Sequence, residues 1–202
     1  MTLALRYAAM SHVGLLRPGN EDSLYAGPRL LAVADGMGGH AAGEVASAVA
    51  IAAVAALDED APGADLLSAL RSAAIGANGH LRDMVAGDAA LDGMGTTLTT
   101  LLFTGSRLGV LHIGDSRCYL LRQGSLTQIT HDDTLVQSLV DDGRITPEEA
   151  SSHPQRNMIL RALDGREDVE FDLSVREARA GDRYLLCSDG LTGPVRPSVH
   201  SR

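Results

Sequence analysis

The sequence predicts an α+β layered domain, and three observations carry that prediction. Two helical stripes stand as a pair in the first half, β-rich segments come in a run from Gly95, and no strict βαβ alternation links them. A dinucleotide-binding sheet is therefore disfavoured, and the Gly36-Met-Gly38-Gly39 turn lacks both G-x-G-x-x-G spacing and a Lys-Ser/Thr ending.

In chain order, Leu3 to Ser11 and Leu30 to Ala34 read as strands. Ala42, Val45, Ala46, Val49, Ala53 and Leu57 then fall on one helical stripe, broken by Asp58 to Gly63. A second stripe, Leu67, Leu70, Ala74, Ala77, Leu81 and Met84, starts near Ala64 or Asp65, and the two helices are expected to pack together. Thr97 to Phe103, Arg107 to Ile113, Arg117 to Arg122 and Ser125 to Ile129 are short, β-rich and separated by glycine turns, the pattern of an antiparallel meander that builds one sheet or two. Thr134 to Asp142 and Thr146 to Ser152 read as helices. The second opens on Thr146-Pro-Glu-Glu149, which supplies an N-cap, a proline at the first helical position and a capping-box glutamate. Phe171 to Val175 and Tyr184 to Cys187 return to strand.

A chain of 202 residues that is 45% hydrophobic is long enough for one domain with a sizeable core. A net charge of -9 with 3% aromatic residues speaks against nucleic acid as a partner. No apolar stretch approaches the roughly 20 residues that cross a bilayer, and no basic leader opens the sequence, so a cytoplasmic protein is expected. Cys118 and Cys187 lie in apolar runs and read as small buried hydrophobes in a reducing compartment.

Chemistry enters where apolar runs end on an aspartate beside a glycine: Leu31-Ala-Val-Ala-Asp35-Gly36, Leu108-Gly-Val-Leu-His-Ile-Gly114-Asp115 and Tyr184-Leu-Leu-Cys-Ser-Asp189-Gly190. Carboxylates gathered at the rim of an apolar core repel one another and are costly to bury, and a divalent cation resolves both problems. Hard oxygen donors without a Cys/His cluster suit Mg2+ or Mn2+ and not zinc. Ahead of them sits Arg17-Pro-Gly-Asn20-Glu21-Asp22, whose guanidinium has the planar fork suited to phosphate. Any one of these motifs taken alone is an ordinary polar turn.

Together and in order, Arg17-x-x-Asn20-Glu21-Asp22, Asp35-Gly-Met-Gly-Gly39, Gly93-Met-Gly-Thr-Thr97, Gly114-Asp-Ser-Arg117 and Ser188-Asp-Gly-Leu191 resemble the metal-dependent protein serine/threonine phosphatases of the protein phosphatase 2C type, in particular bacterial members. The resemblance implies a four-layer α-β-β-α sandwich of two antiparallel sheets flanked by helix pairs, with two Mn2+ or Mg2+ ions and a weak third at one end. It makes residues 1–193 the catalytic domain and 194–202 an irregular tail. By the same resemblance Asp35 bridges the metals and Gly36 adds its carbonyl. Glu21 supports one metal, Asp189 binds the other, Asp115 serves the third and Asp22 orients the ligands. Arg17 holds the substrate phosphate, and Asn157, in the segment Leu139 to Leu163 that resembles the family's flap, is a candidate for the third metal. The implied reaction is hydrolysis of phosphoserine and phosphothreonine by a water activated between two cations. Phosphorylated proteins are the implied partners, with serine/threonine kinases and their substrates among them.

Three departures qualify the resemblance. A Gly-x-Asp-Asn block that follows in relatives is not reached before Arg202, so the last elements of the fold and one metal ligand are expected to be missing and turnover reduced. Met37 stands where eukaryotic relatives carry a candidate acid histidine, and His40, His131 and His153 are given no role. Many bacterial relatives continue into a membrane anchor, so the chain is also readable as the cytosolic piece of an anchored protein. Alternatives are a phosphatase of stress regulators acting on an anti-anti-sigma factor, and a catalytically weak phosphoprotein- or kinase-binding module. Thiol-based phosphatase chemistry is excluded on spacing, because the residues six beyond Cys118 and Cys187 are Gly124 and Gly193 where an arginine is needed.

Overall fold

The computed structural model of the chain describes residues 3–15, 17–39, 41–59 and 65–194. Expectations placed on His40, on Ala64 as a helix start and on the tail beyond Pro194 lie outside the described residues. Two antiparallel sheets form the body. The larger has the order β1-β2-β4-β5-β8, with β3 also paired to β2, and the smaller has the order β7-β6-β9. Their strands are β1 Asp22–Ala26, β2 Leu30–Met37, β3 Gly95–Thr96, β4 Leu98–Thr104, β5 Arg107–Ile113, β6 Arg117–Arg122, β7 Ser125–Gln128, β8 Asp172–Glu177 and β9 Arg183–Cys187.

Alternation along β4 explains the layering, because successive side chains point to opposite faces. Leu98 and Leu102 join a cluster with α1 (Ala41–Ala55) and α2 (Leu66–Gly87), whereas Leu101 and Phe103 face the smaller sheet. Small buried residues, Ala42, Ala46 and Ala50, let α1 approach the sheet closely. The helix α2 starts at Asp65, whose carboxylate caps the N–H groups of Leu67 and Ser68 at 3.1 Å. Between the sheets lie Leu101, Leu108, Val110 and Cys118, and a T-shaped contact of Phe103 with Tyr184, ring centroids 5.8 Å apart, closes the end opposite the aspartates. The two short helices α3 (Leu135–Asp141) and α4 (Pro147–Ser152) pack on each other, and Thr146 and Glu149 form the expected capping box.

The antiparallel run that starts at Gly95 is divided between two sheets, as the resemblance implies: β4 and β5 belong to the larger, β6 and β7 to the smaller. Gly114, at φ +103, turns the chain from one to the other through a backbone region that L side chains rarely adopt. Leu3 to Ser11 is not a strand. Leu3 packs on the inter-sheet cluster, but the segment pairs with neither sheet and leaves Met10 exposed, so its apolar residues lack the ladder that a strand requires. The strand β1 and the one-turn helix α5 (Asp189–Thr192) were not expected.

Candidate metal centre

Antiparallel pairing brings the aspartates to one edge. Since β2 and β5 both run antiparallel to β4, their C-terminal ends share that edge, carrying Asp35 and, one turn on, Asp115. In the smaller sheet Arg117 pairs with Cys187, which sets the start of β6, just after Asp115, beside the end of β9, just before Asp189. The register of β1 on β2 places Asp22 opposite Asp35, and Ser188 Oγ donates to the Asp22 carboxylate at 2.8 Å, joining the two sheets.

The electrostatics record this convergence. Burial pushes the Asp35 carboxyl up to about 8, reinforced by the charges of Asp22, Asp189 and Asp115 and by a hydrogen bond with Asp189. Asp115 is pushed up to about 6, again first by burial and then by Asp189 and Asp132. Three hydrogen bonds hold the Asp35 peptide: its N–H donates to Thr97 Oγ1 at 2.9 Å, and its carbonyl accepts from Thr97 N–H at 2.9 Å and Thr96 Oγ1 at 3.0 Å.

Glu21 and Gly36 meet at the start of α1. Gly36 N–H donates to the Glu21 carbonyl at 3.2 Å, and Ser47 Oγ donates to the same oxygen at 2.6 Å. The Glu21 carboxylate lies against the Cα of Gly43, where any side chain would collide with it, and a Cβ on Gly36 would strike the Gly43 carbonyl. Helix α1 can come this near only because both positions are glycine.

Around Asp115 the support comes from β6 and from the segment that leads into α3. Asp133 holds Gly114 from both sides, accepting its N–H on the carboxylate at 2.9 Å and donating its own N–H to the Gly114 carbonyl at 2.8 Å. Arg161 is bonded to Asp133 and Asp172, and Arg117 binds Asp132 in a fork. Sequence reasoning gave no role to Thr96, Thr97, Ser116, Ser188, Asp132, Asp133 or Arg161. Their only signal was that several stand inside the quoted motif blocks.

Arg17 is exposed and, among the described residues, makes no ion pair. Asn157 is exposed in the turn after α4 and is hydrogen-bonded to none of the four aspartates. His131 pairs with Asp141 at 3.0 Å, and His153 Nδ1 accepts from Gln155 N–H. Cys118 and Cys187 are free and buried, with thiols pushed up to about 12 and about 11 chiefly by burial.

Among the described residues no three Asp, Glu, His or Cys groups are closed into a finished cage. A hard dication that keeps several waters needs only one or two carboxylates, however, and the mutual repulsion at Asp35 is what such a charge relieves. The donor set fits Mg2+ or Mn2+. Among the described residues no helix is long and apolar enough to cross a membrane.

Known proteins resemble the chain over nearly its whole length. A family model described as protein phosphatase 2C matches residues 20–201. The serine/threonine protein phosphatase PstP of Mycobacterium tuberculosis is 67% identical over 195 residues, 96% of this chain and 38% of that protein. The chain thus spans well under half the length of that relative. Protein phosphatase PhpP of Streptococcus pneumoniae is 33% identical over 201 residues, covering 96% of this chain and 82% of its own length. Among solved structures, M. tuberculosis PstP/Ppp superimposes with a TM-score of 0.94 at 65% identity, covering 98% of this chain and 83% of that one. The PstP catalytic domain in complex with 2 manganese ions superimposes with a TM-score of 0.90 at 63% identity, covering 96% and 81%.

Proposed function

The chain belongs to the protein phosphatase 2C family, and from that premise we propose that it hydrolyses phosphoserine and phosphothreonine in proteins by a water activated between two divalent cations, Mn2+ or Mg2+. The observation that carries the reading is the gathering of Asp22, Asp35, Asp115 and Asp189 at one edge of the two sheets, with Asp35 raised to about 8 by burial and by its neighbours. The relative solved with 2 manganese ions supports the choice of cofactor.

Divalent cations bound there supply Lewis acidity toward phosphoryl oxygens and acidify water. The protein's own groups do the rest. Asp35 and Asp189 would hold the cations, with the Gly36 carbonyl, Glu21 and Asp115 as further oxygen donors. Asp22, fixed by Ser188, orients the ligands. Arg17, without a carboxylate partner among the described residues, keeps its fork for the phosphate dianion. Asn157 keeps its assignment to the flap, as a contact of a weak third metal. We take residues 1–193 as the catalytic domain, phosphorylated proteins, including serine/threonine kinases and their substrates, as partners, and the cytoplasm as the site of action. The buried free thiols support that location.

Hydrolysis of an aryl phosphate and of phosphothreonine peptides, measured with Mn2+ and with chelator, tests the reading. Mn2+-dependent release that disappears in Asp35→Ala is expected. Folded wild type that binds phosphopeptide without releasing phosphate would replace the enzyme with a binding module.

A further inference from the structure

The juxtaposition of Thr97 with both Asp35 and the Asp115 turn carries a role that the chemistry above does not use. We infer that the buried Thr97–Ser116 hydroxyl pair is a positioning element that sets the spacing of Asp35 and Asp115, and thereby the affinity of the edge for divalent cations. The inference rests on the metal-dependent reading above and names what holds that site in shape.

Asp35 and Asp115 belong to different parts of the fold, the end of β2 and the turn between the sheets. Their charges drive them apart. Thr97 joins the two parts. Its Oγ1 accepts the Asp35 N–H at 2.9 Å and is bonded to Ser116 Oγ at 2.8 Å. Its methyl lies over Gly114, where an added Cβ would stand 2.5 Å from Thr97 Cγ2. One side chain thus contacts the peptide of the first aspartate and both residues that flank the second. Thr99 extends the tie, because its Oγ1 donates to the Ser116 carbonyl at 2.9 Å.

Thr97, Thr99 and Ser116 are fully buried. Water is not at hand to replace a lost partner, so removing either hydroxyl of the pair leaves the other group unsatisfied and the turn free to shift. The β-branched Thr97 side chain is also restricted at χ1, which suits a spacer. Ligand geometry must hold within roughly half an ångström to bind well, and this pair is a direct side-chain link between the two strand ends.

Direct Mn2+ binding to the full chain tests the inference, read from the paramagnetic resonance of free Mn2+ and from calorimetry, with folding checked by circular dichroism. Thr97→Val keeps the shape and loses the hydroxyl, Thr97→Ser keeps the hydroxyl, and Ser116→Ala removes the partner. Thr97→Val and Ser116→Ala should each weaken Mn2+ about 10-fold to 100-fold, the double variant should be no weaker than Thr97→Val alone, and Thr97→Ser should stay within about threefold of wild type. If Thr97→Val unfolds, Ser116→Ala decides alone. Wild-type affinity in the folded hydroxyl-deleted variants, even with a lower Tm, would reduce the pair to ordinary packing and overturn the inference, as would fully additive losses. Absence of Mn2+ uptake by wild type would instead sink the metal-dependent reading itself.

Discussion

Replacing Asp133 separates a buried carboxylate from an exposed one that share a single arginine. Arg161 binds Asp133, whose side chain is 4% exposed, and Asp172, which is 47% exposed. Removing one partner of a fully buried pair costs about 3–5 kcal/mol. Arg161 is 35% exposed and keeps Asp172, so its loss falls to about 1 kcal/mol. The Gly114 N–H, which donates to Asp133 at 2.9 Å, is left buried without an acceptor, which adds about 1–3 kcal/mol. Asp133→Ala should therefore destabilise by about 3 kcal/mol, or about 6–12 °C in Tm for a domain of this size. Asp172→Ala should cost at most about 1 kcal/mol. Asp133→Asn, which retains an oxygen for Gly114, should recover part of the loss. Urea denaturation followed by circular dichroism gives all three values. Equal costs for Asp133→Ala and Asp172→Ala would refute the reasoning, because burial, the Gly114 bond and a second hydrogen bond from Arg161 set Asp133 apart from Asp172.

Asp182 is held down to about 2, chiefly by the Arg122 fork, so its folded value lies below its ordinary 3.8. Its contribution is complete above pH 4 or so and lost as pH falls toward 2; the Tm gap between wild type and Asp182→Asn should close over that interval, and a gap still open at about pH 2 would contradict the assignment. Gly36→Ala should destabilise by about 3 kcal/mol and impair Mn2+ uptake, since its Cβ meets backbone and not a movable side chain; normal stability of this variant would show that α1 can retreat without loss. Both thiols should resist an aromatic disulfide reagent at pH 8 until the chain unfolds, because burial raises them to about 12 and about 11. Rapid labelling of either cysteine in folded protein would show that the inter-sheet core is open.

Legibility followed how local each signal was. The bounds of β5 and β6 and the Thr146 capping box were readable because alternation and capping are short-range patterns. The strand β1 was not readable: Asp22–Ala26 is partly buried at every position, so no alternation marks it, and it is a strand because β2 lies alongside. The opposite error was made at Leu3 to Ser11, which has the composition of a strand but pairs with neither sheet. At the candidate site, Asp35, Asp115 and Asp189 were each conspicuous at the end of an apolar run. Thr97 and Ser116 were not, because a hydroxyl is unremarkable until its neighbours in space are known.

From the sequence alone came the inventory: helices in a pair, strands in a run, hard oxygen donors at the strand ends, an arginine fork ahead of them, and the ordered motifs of one phosphatase family. Periodicity and side-chain chemistry are properties of neighbours along the chain, so they survive without coordinates. Tertiary structure alone decided that Gly114 carries the chain from one sheet to the other, that Asp22 faces Asp35, and that Thr97 bridges to Ser116. Each of those depends on strand pairing between distant residues, where the hydrogen bonds of the backbone, and not the side chains' own preferences, set which groups meet.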